Sequence, residues 1–304
     1  MNNYLKYLVP AKVRRRIRYN QRMRAILASS HNHTLAKLYF PAKEIDSDGW
    51  LVKSRIPQQS DAIGVDGAPL PPADITMAYL KDPETYINRG KEWANKLKEL
   101  AHQYGSLSPG DAILDWGCSS GRVIRHFRSE AESKELECWG VDLEVRAVEW
   151  ARYNLPPIQF ATCSTIPHLP FEDHKFALIY GLSVMTHVQH FEDTWLLELK
   201  RVLKPGGVLV LTIHDEDTIE WFGKNGREYW IPEEVECDEL MRDADRTVLR
   251  GVDPIDTFTF FSKKYINRVW GSFLSVREII ALWAPGSKQS AVVMTRKALD
   301  HTTG

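Results

Sequence analysis

The 304 residues are 43% hydrophobic and 11% aromatic, with 26% charged residues nearly balanced at a net charge of −1. This composition excludes a disordered or low-complexity chain and supplies apolar mass for one sizeable core with elaborations. The four cysteines, Cys118, Cys138, Cys163 and Cys237, contain no CxxC pair, which argues against a zinc cage or a disulfide framework and fits a reducing cytoplasm; no apolar run reaches membrane-spanning length, and the N-terminus lacks the apolar stretch of a secretory signal.

The first predicted element is a basic arm, residues 1–40. Its first 24 residues hold Lys6, Lys12, Arg14, Arg15, Arg16, Arg18, Arg22 and Arg24 and no acidic residue, leaving about −9 for the remainder of the chain. Tyr4, Leu5, Leu8, Ile17, Met23, Ile26 and Leu27 interleave with these charges. The arm therefore reads either as a peripheral membrane contact through residues 1–24 or as a solvated tail packed on the domain. Residues 41–81, rich in proline and glycine (Pro41, Pro57, Pro69, Pro71, Pro72, Gly49, Gly64, Gly67), read as an irregular wrapping or lid segment. At Asp82 a capped helix begins, with Pro83 at its first position and Tyr86, Ile87, Trp93, Ala94, Leu97, Leu100 and Ala101 at three- and four-residue spacing. It opens the main domain, residues 82–304.

From there strand and helix signals alternate. Strands are predicted at 112–114, 137–141, 158–161, 176–180 and 208–213, with helices starting near Arg122, Glu144, Val184 and Glu192. Two further strands, 272–282 and 290–296, flank the turn Ala284-Pro285-Gly286-Ser287. The expected fold is α/β: a Rossmann-like, mostly parallel seven-stranded sheet with helices on both faces and a C-terminal antiparallel hairpin. Residues 220–270 are expected to form an insertion or substrate cap.

The stretch AILDWGCSSG, 112–121, is a strand ending in Asp115 followed by a glycine-bearing turn. Gly117 and Gly121 let the backbone approach a ligand, and a helix start supplies free N–H groups. A dinucleotide fingerprint needs glycine at three positions, and two of those are Ser119 and Arg122 here, so the loop suits a different adenosine cofactor. Twenty-one residues after Gly121, Asp142 ends the strand WGVD, where a carboxylate can accept both hydrogen bonds of a ribose diol. Singly, each acid is more often a cap or turn residue; together at two strand tips they form a cofactor pair.

These motifs resemble the class I methyltransferases that use S-adenosylmethionine (SAM). LDWGCSSG resembles their first motif, WGVDLEVRAVEWA their second strand and following helix, and LKRVLKPGGVLVLTIH their fifth strand with its Pro-Gly-Gly turn. The resemblance implies that Asp115, Trp116, Gly117, Cys118 and Gly121 hold the methionine end of SAM, and that Asp142 and Leu143 hold the ribose. It implies that Cys163, Ser164 and Thr165 flank the adenine and that Tyr180 and Gly181 line the transfer channel. Two positions depart from the pattern: Ser119 replaces a usual glycine and Ala177 a usual aspartate.

Methyl transfer from a sulfonium depends mainly on alignment in a dry pocket, and a hydroxyl acceptor adds the need for a base. His187, after the fourth strand, and His214, ending the fifth, lie at the edge where such sheets bind ligands and are the base candidates, against a plainer reading as boundary histidines. Asp215, Glu216 and Asp217 read as a solvated or helix-starting run rather than a metal site. The aromatic stretch DTFTFFSKKYINRVWGSF, with Tyr229 and Trp230, suits either a sugar acceptor or packing under a lid. PLPPADI, SVMTHV, TFTFFSKKYINRVWG and KQSAVVMTR resemble bacterial methyltransferases associated with surface-polysaccharide glycosyltransferases, which implies a glycan hydroxyl as acceptor; a soluble small metabolite, or a non-catalytic SAM-binding module, are the alternatives. Nucleic acid is disfavoured as a partner, because the fourth strand ends in Tyr-Gly-Leu-Ser and lacks the Asn/Asp-Pro-Pro-aromatic signature of base-amine methylation.

Overall fold

The structure, a computed structural model, describes residues 62–75, 82–105, 107–226, 228, 231, 235–250 and 257–296. The basic arm, the first part of the wrapping segment, and Tyr229 and Trp230 lie outside the described residues.

Helix α1 (Pro83–Tyr104) is capped by Asp82, whose carboxylate accepts from the N–H groups of Glu84 and Thr85, with proline at the helix start. There follow β1 (Asp111–Trp116), α2 (Arg128–Glu132), β2 (Leu136–Asp142), α3 (Val145–Asn154), β3 (Gln159–Thr162), β4 (Phe176–Gly181), α4 (Glu192–Val202), β5 (Leu203–Ile213), α5 (Glu216–Asn225), β6 (Arg246–Arg250), β7 (Thr257–Phe261), β8 (Ser275–Ile280) and β9 (Ser290–Thr295). The main sheet runs β3-β2-β1-β4-β5-β9-β8, and β6 and β7 form a separate two-stranded sheet. The first five main strands are parallel, while β9 is antiparallel to both β5 and β8. The strand order reverses between β1 and β4, which opens a crevice at the shared carboxyl edge of the parallel strands.

Burial on both faces explains why the central strands read as continuous apolar runs. Ile113, Leu178, Val210 and Val293 pack with α1 and α3 on one face; Leu114, Ile179, Leu211 and Met294 pack with α4 and the helical stretch 263–273 on the other. A third, smaller cluster joins Ile219 and Phe222 of α5 to Leu240 and Phe260.

Three local expectations change. The helix expected at Arg122 begins as a 3-10 turn at Ile124–Phe127 before α2, with Arg125 turned inward onto the wrapping segment. The helix expected near Val184 is a single 3-10 turn, Met185–His187, because the next carbonyls are claimed by side chains: Val188 O by Thr259 and Gln189 O by Arg246. Strand β5 starts at Leu203, and its Pro-Gly-Gly turn is a bulge, since Phe176 pairs with Leu203 but Leu178 pairs with Val208. The aromatic stretch after β6 is mostly core: Phe260, Phe261 and Trp270 are fully buried, which makes packing their role.

Candidate active site

The turn after β1 is tied to the tip of β2. Gly117 and Cys118 donate their N–H groups to Val141 O at 2.8 and 3.0 Å. Gly117, Ser119 and Gly121 have φ of 84°, 48° and 81°, so the backbone curls in the left-handed region at alternate residues. A Cβ on Gly117 would lie 2.3 Å from a Val184 methyl, so close approach as well as φ demands glycine there. Ser119 thus takes a left-handed φ, a region that glycine adopts most readily. Its N–H donates to Asp142 Oδ2 at 2.6 Å, and Glu144 N–H donates to Oδ1 at 2.8 Å.

The two strand-tip acids therefore come together, as the spacing predicts. Asp115 is buried, and burial pushes its carboxyl up to about 7; the Tyr180 hydroxyl opposes the shift, the nearby Asp142 carboxylate adds to it and Arg122 opposes it. Burial also raises Asp142, against the three backbone N–H groups, of Glu144, Ser119 and Leu143, that favour its charged form. Cys163 joins the pair through its N–H to Asp142 O at 3.0 Å, and the Ser164 hydroxyl accepts from Ile166 N–H. Trp116 packs against Trp195 inside the core, with ring centroids 4.8 Å apart and the planes tilted by 42°; Cys118 and Cys163 are buried thiols. Gly181 and the buried Tyr180 sit at the end of β4.

The histidine candidates also meet, and they differ in kind. His187 is exposed, with Nδ1 3.0 Å from Thr257 O; because a carbonyl only accepts, that nitrogen carries the proton and the lone pair of the neutral ring sits on Nε2. His214 is buried, and burial, reinforced by His187, pushes it down to about 3. Phe258 lies against both rings, at 5.1 and 6.2 Å. The acidic trio serves the fold: Asp215 caps α5 through Thr218 N–H, Glu216 accepts from Lys263 N–H, and Asp217 pairs with Lys263.

Sequence reasoning passes over two sets of residues. Tyr86 from α1 bonds Ser120 of the turn at 3.1 Å, and Arg125, with its side chain wholly buried, binds Asp66 and the carbonyls of Ala68 and Pro69, so the wrapping segment braces the loop. The available signal is an arginine inside the apolar stretch Val123–Phe127. Ser183, Thr212 and Gln289, which join beside His214, give no local signal because they meet across 77 and 106 residues.

Residues 114–211 match the family model described as a methyltransferase domain. The chain is 32% identical over 111 residues to the sterol 24-C-methyltransferase erg6 of Schizosaccharomyces pombe, a stretch covering 36% of this chain and 29% of that protein. It is 34% identical over 125 residues to the ubiquinone/menaquinone biosynthesis C-methyltransferase UbiE of Neisseria meningitidis, covering 39% and 47% respectively. The matched stretch thus spans less than half the length of either relative. A solved S-adenosylmethionine-dependent methyltransferase from Clostridium acetobutylicum is 13% identical, covering 68% of this chain and 92% of that one, with a TM-score of 0.49.

The class defined by this sheet and its matched core is the SAM-dependent methyltransferase domain, with SAM as cofactor. The residues present fit it. Asp142 Oδ2 accepts the Ser119 N–H and Oδ1 the Glu144 N–H, and with about four acceptor sites the carboxylate keeps capacity for a further donor such as a ribose hydroxyl. The left-handed turn at Gly117, Ser119 and Gly121 brings its backbone alongside both strand-tip acids.

Proposed function

We propose that this protein transfers a methyl group from SAM to a hydroxyl of a sugar or glycan precursor. The observation that supports it best is His187, an exposed imidazole whose proton is held on Nδ1 by Thr257 O at the sheet edge beside the cofactor turn. In this reading Asp142 and Leu143 hold the ribose, Asp115 and the 116–121 turn the methionine end, Cys163, Ser164 and Thr165 flank the adenine, and Tyr180 and Gly181 line the channel. SAM supplies the electrophilic methyl group. His187 Nε2 accepts the acceptor's hydroxyl proton as the oxygen becomes nucleophilic, and Thr257 O stabilises the resulting imidazolium. His214, held neutral, keeps a second positive charge away from that ring. Residues 220–270 act as the substrate cap over this edge, and residues 1–24 bring the enzyme to a membrane surface that carries a lipid-linked acceptor.

A second reading, methylation of an apolar ring, is favoured by the phenylalanines around His214, namely Phe222, Phe258 and Phe260, and by relatives named for sterol and quinone C-methylation.

The test incubates the protein with methyl-labelled SAM and separate lipid-linked glycan, quinone and sterol fractions. Label in the glycan fraction, reduced about a hundredfold or more by His187→Ala, is the expected result. Label confined to the apolar rings moves the assignment to the second reading. Transfer indifferent to His187→Ala removes the base.

A further inference from the structure

We infer that Gln289 is the positioning residue of this edge: its side-chain amide fixes the buried His214 ring in one neutral tautomer beside His187. The consequence for turnover rests on the methyl-transfer reading; the tautomer itself does not.

The bonding of three side chains determines which way the amide points. Ser183 N–H donates to Thr212 Oγ1 at 2.7 Å, so that hydroxyl oxygen is already an acceptor and its proton must go elsewhere. The acceptor within reach is Gln289 Oε1, at 2.6 Å, which also receives the Ser183 hydroxyl at 2.9 Å. Reversing the amide would point N–H groups at both hydroxyls and take away the oxygen that receives the Thr212 proton. With Oε1 fixed, Nε2 faces His214 Nε2 at 3.3 Å, and an amide nitrogen only donates. His214 Nε2 is therefore the acceptor, and the ring proton sits on Nδ1.

The backbone of Gln289 is equally constrained. Its N–H donates to Ser287 Oγ at 3.1 Å, and its carbonyl accepts from the Ser287 hydroxyl and from Trp283 N–H. The next residue, Ser290, donates its hydroxyl to Asp215 Oδ1 at 2.8 Å. Two successive side chains, Gln289 just before β9 and Ser290 at its start, thus grip the two successive residues that follow β5, His214 and Asp215. The closing hairpin does more than complete the sheet: it sets the protonation pattern at the candidate active edge. A protonated His214 would repel the proton that His187 has to receive, and an Nε2–H tautomer would have no acceptor in Gln289.

The test reads histidine ring nitrogens by NMR in 15N-labelled full-length protein, wild type and the variants Gln289→Leu and Gln289→Glu, between pH 5 and 8. In the wild type His214 is expected to show an unprotonated Nε2 and a protonated Nδ1 throughout. Leucine is expected to release this preference, and glutamate to draw a proton onto Nε2. A wild-type His214 protonated on Nε2, or a tautomer unmoved by Gln289→Leu, overturns the assignment, and the wild-type spectrum alone decides the first of these even if a variant folds poorly. In turnover, Gln289→Leu is expected to lose about tenfold in kcat while KM for SAM stays within about twofold; equal losses in both point to a merely structural role and overturn the positioning. Transfer absent for every acceptor, with the tautomer still following Gln289, overturns the methyl-transfer reading and leaves the positioning intact.

Discussion

Asp115 is ionised only against the cost of leaving water, and its carboxyl sits at about 7 rather than 3.8. The folded state therefore binds more protons than the unfolded state between those values. The stability gained from that proton is complete below about pH 4 and is lost as pH rises through about 7. In the proposed reading Asp115 holds the positively charged methionine end of SAM, which favours the charged carboxylate, so SAM should bind about tenfold more tightly at pH 8 than at pH 6, the ratio expected for one linked proton with a free-state pKa near 7. Calorimetric titration at the two pH values checks this, with Asp115→Asn expected to flatten the dependence; a wild type equally tight at both shows that Asp115 does not sense the cofactor charge. Ser119 makes a related point about legibility. In the sequence it stands out only as a serine where a glycine is usual; in the structure it takes φ of 48°, at a strain on the order of 1 kcal/mol, and donates to Asp142. Which residue departs from the motif is readable from one dimension, but its conformation is not.

At the scale of elements, two hairpins far in sequence from the histidines hold them in place. The β8–β9 hairpin grips His214 through Gln289, while the β6–β7 hairpin holds the His187 turn through Thr257 O, the Thr259 hydroxyl and Arg246. Arg246 also pairs at 2.9 Å with Glu192, a buried carboxylate raised mainly by burial and drawn down by Trp270 and Arg246. Arg246→Met leaves that carboxylate without its cation and should cost about 3 kcal/mol. The sign with pH follows from Glu192: it protonates more readily when folded, more so without Arg246, so the deficit should be larger at pH 8 than at pH 5. Urea unfolding at both values tests it, and a deficit independent of pH would assign the loss to packing instead. The β8–β9 hairpin is legible in the sequence because a Pro-Gly turn separates two apolar runs. The separate β6–β7 sheet is not: its strands are short, and its bonds are made to residues up to 71 positions away.

For the whole molecule, the parallel order of β1 to β5 follows from alternating apolar runs and helical spacing, and the nearness of Asp115 to Asp142 follows from their places at neighbouring strand tips. What the sequence withholds is long-range: Arg125 reaching back 59 residues to Asp66, and Tyr86 reaching 34 forward to Ser120. Those contacts couple the cofactor turn to the wrapping segment and α1, so a ligand seated on the turn stabilises the fold as a unit rather than one loop. S-adenosylhomocysteine, the demethylated product, at a hundred times its dissociation constant adds about 2.7 kcal/mol to the folded state. In a domain of this size that raises Tm by about 5–10 °C. Asp142→Ala should retain the fold, since its backbone donors sit near the solvent-facing crevice, yet lose most of the shift. A full shift in the Asp142 variant would move the ribose contact to another residue, and no shift in the wild type would leave the matched domain without its cofactor and favour a binding module over an enzyme.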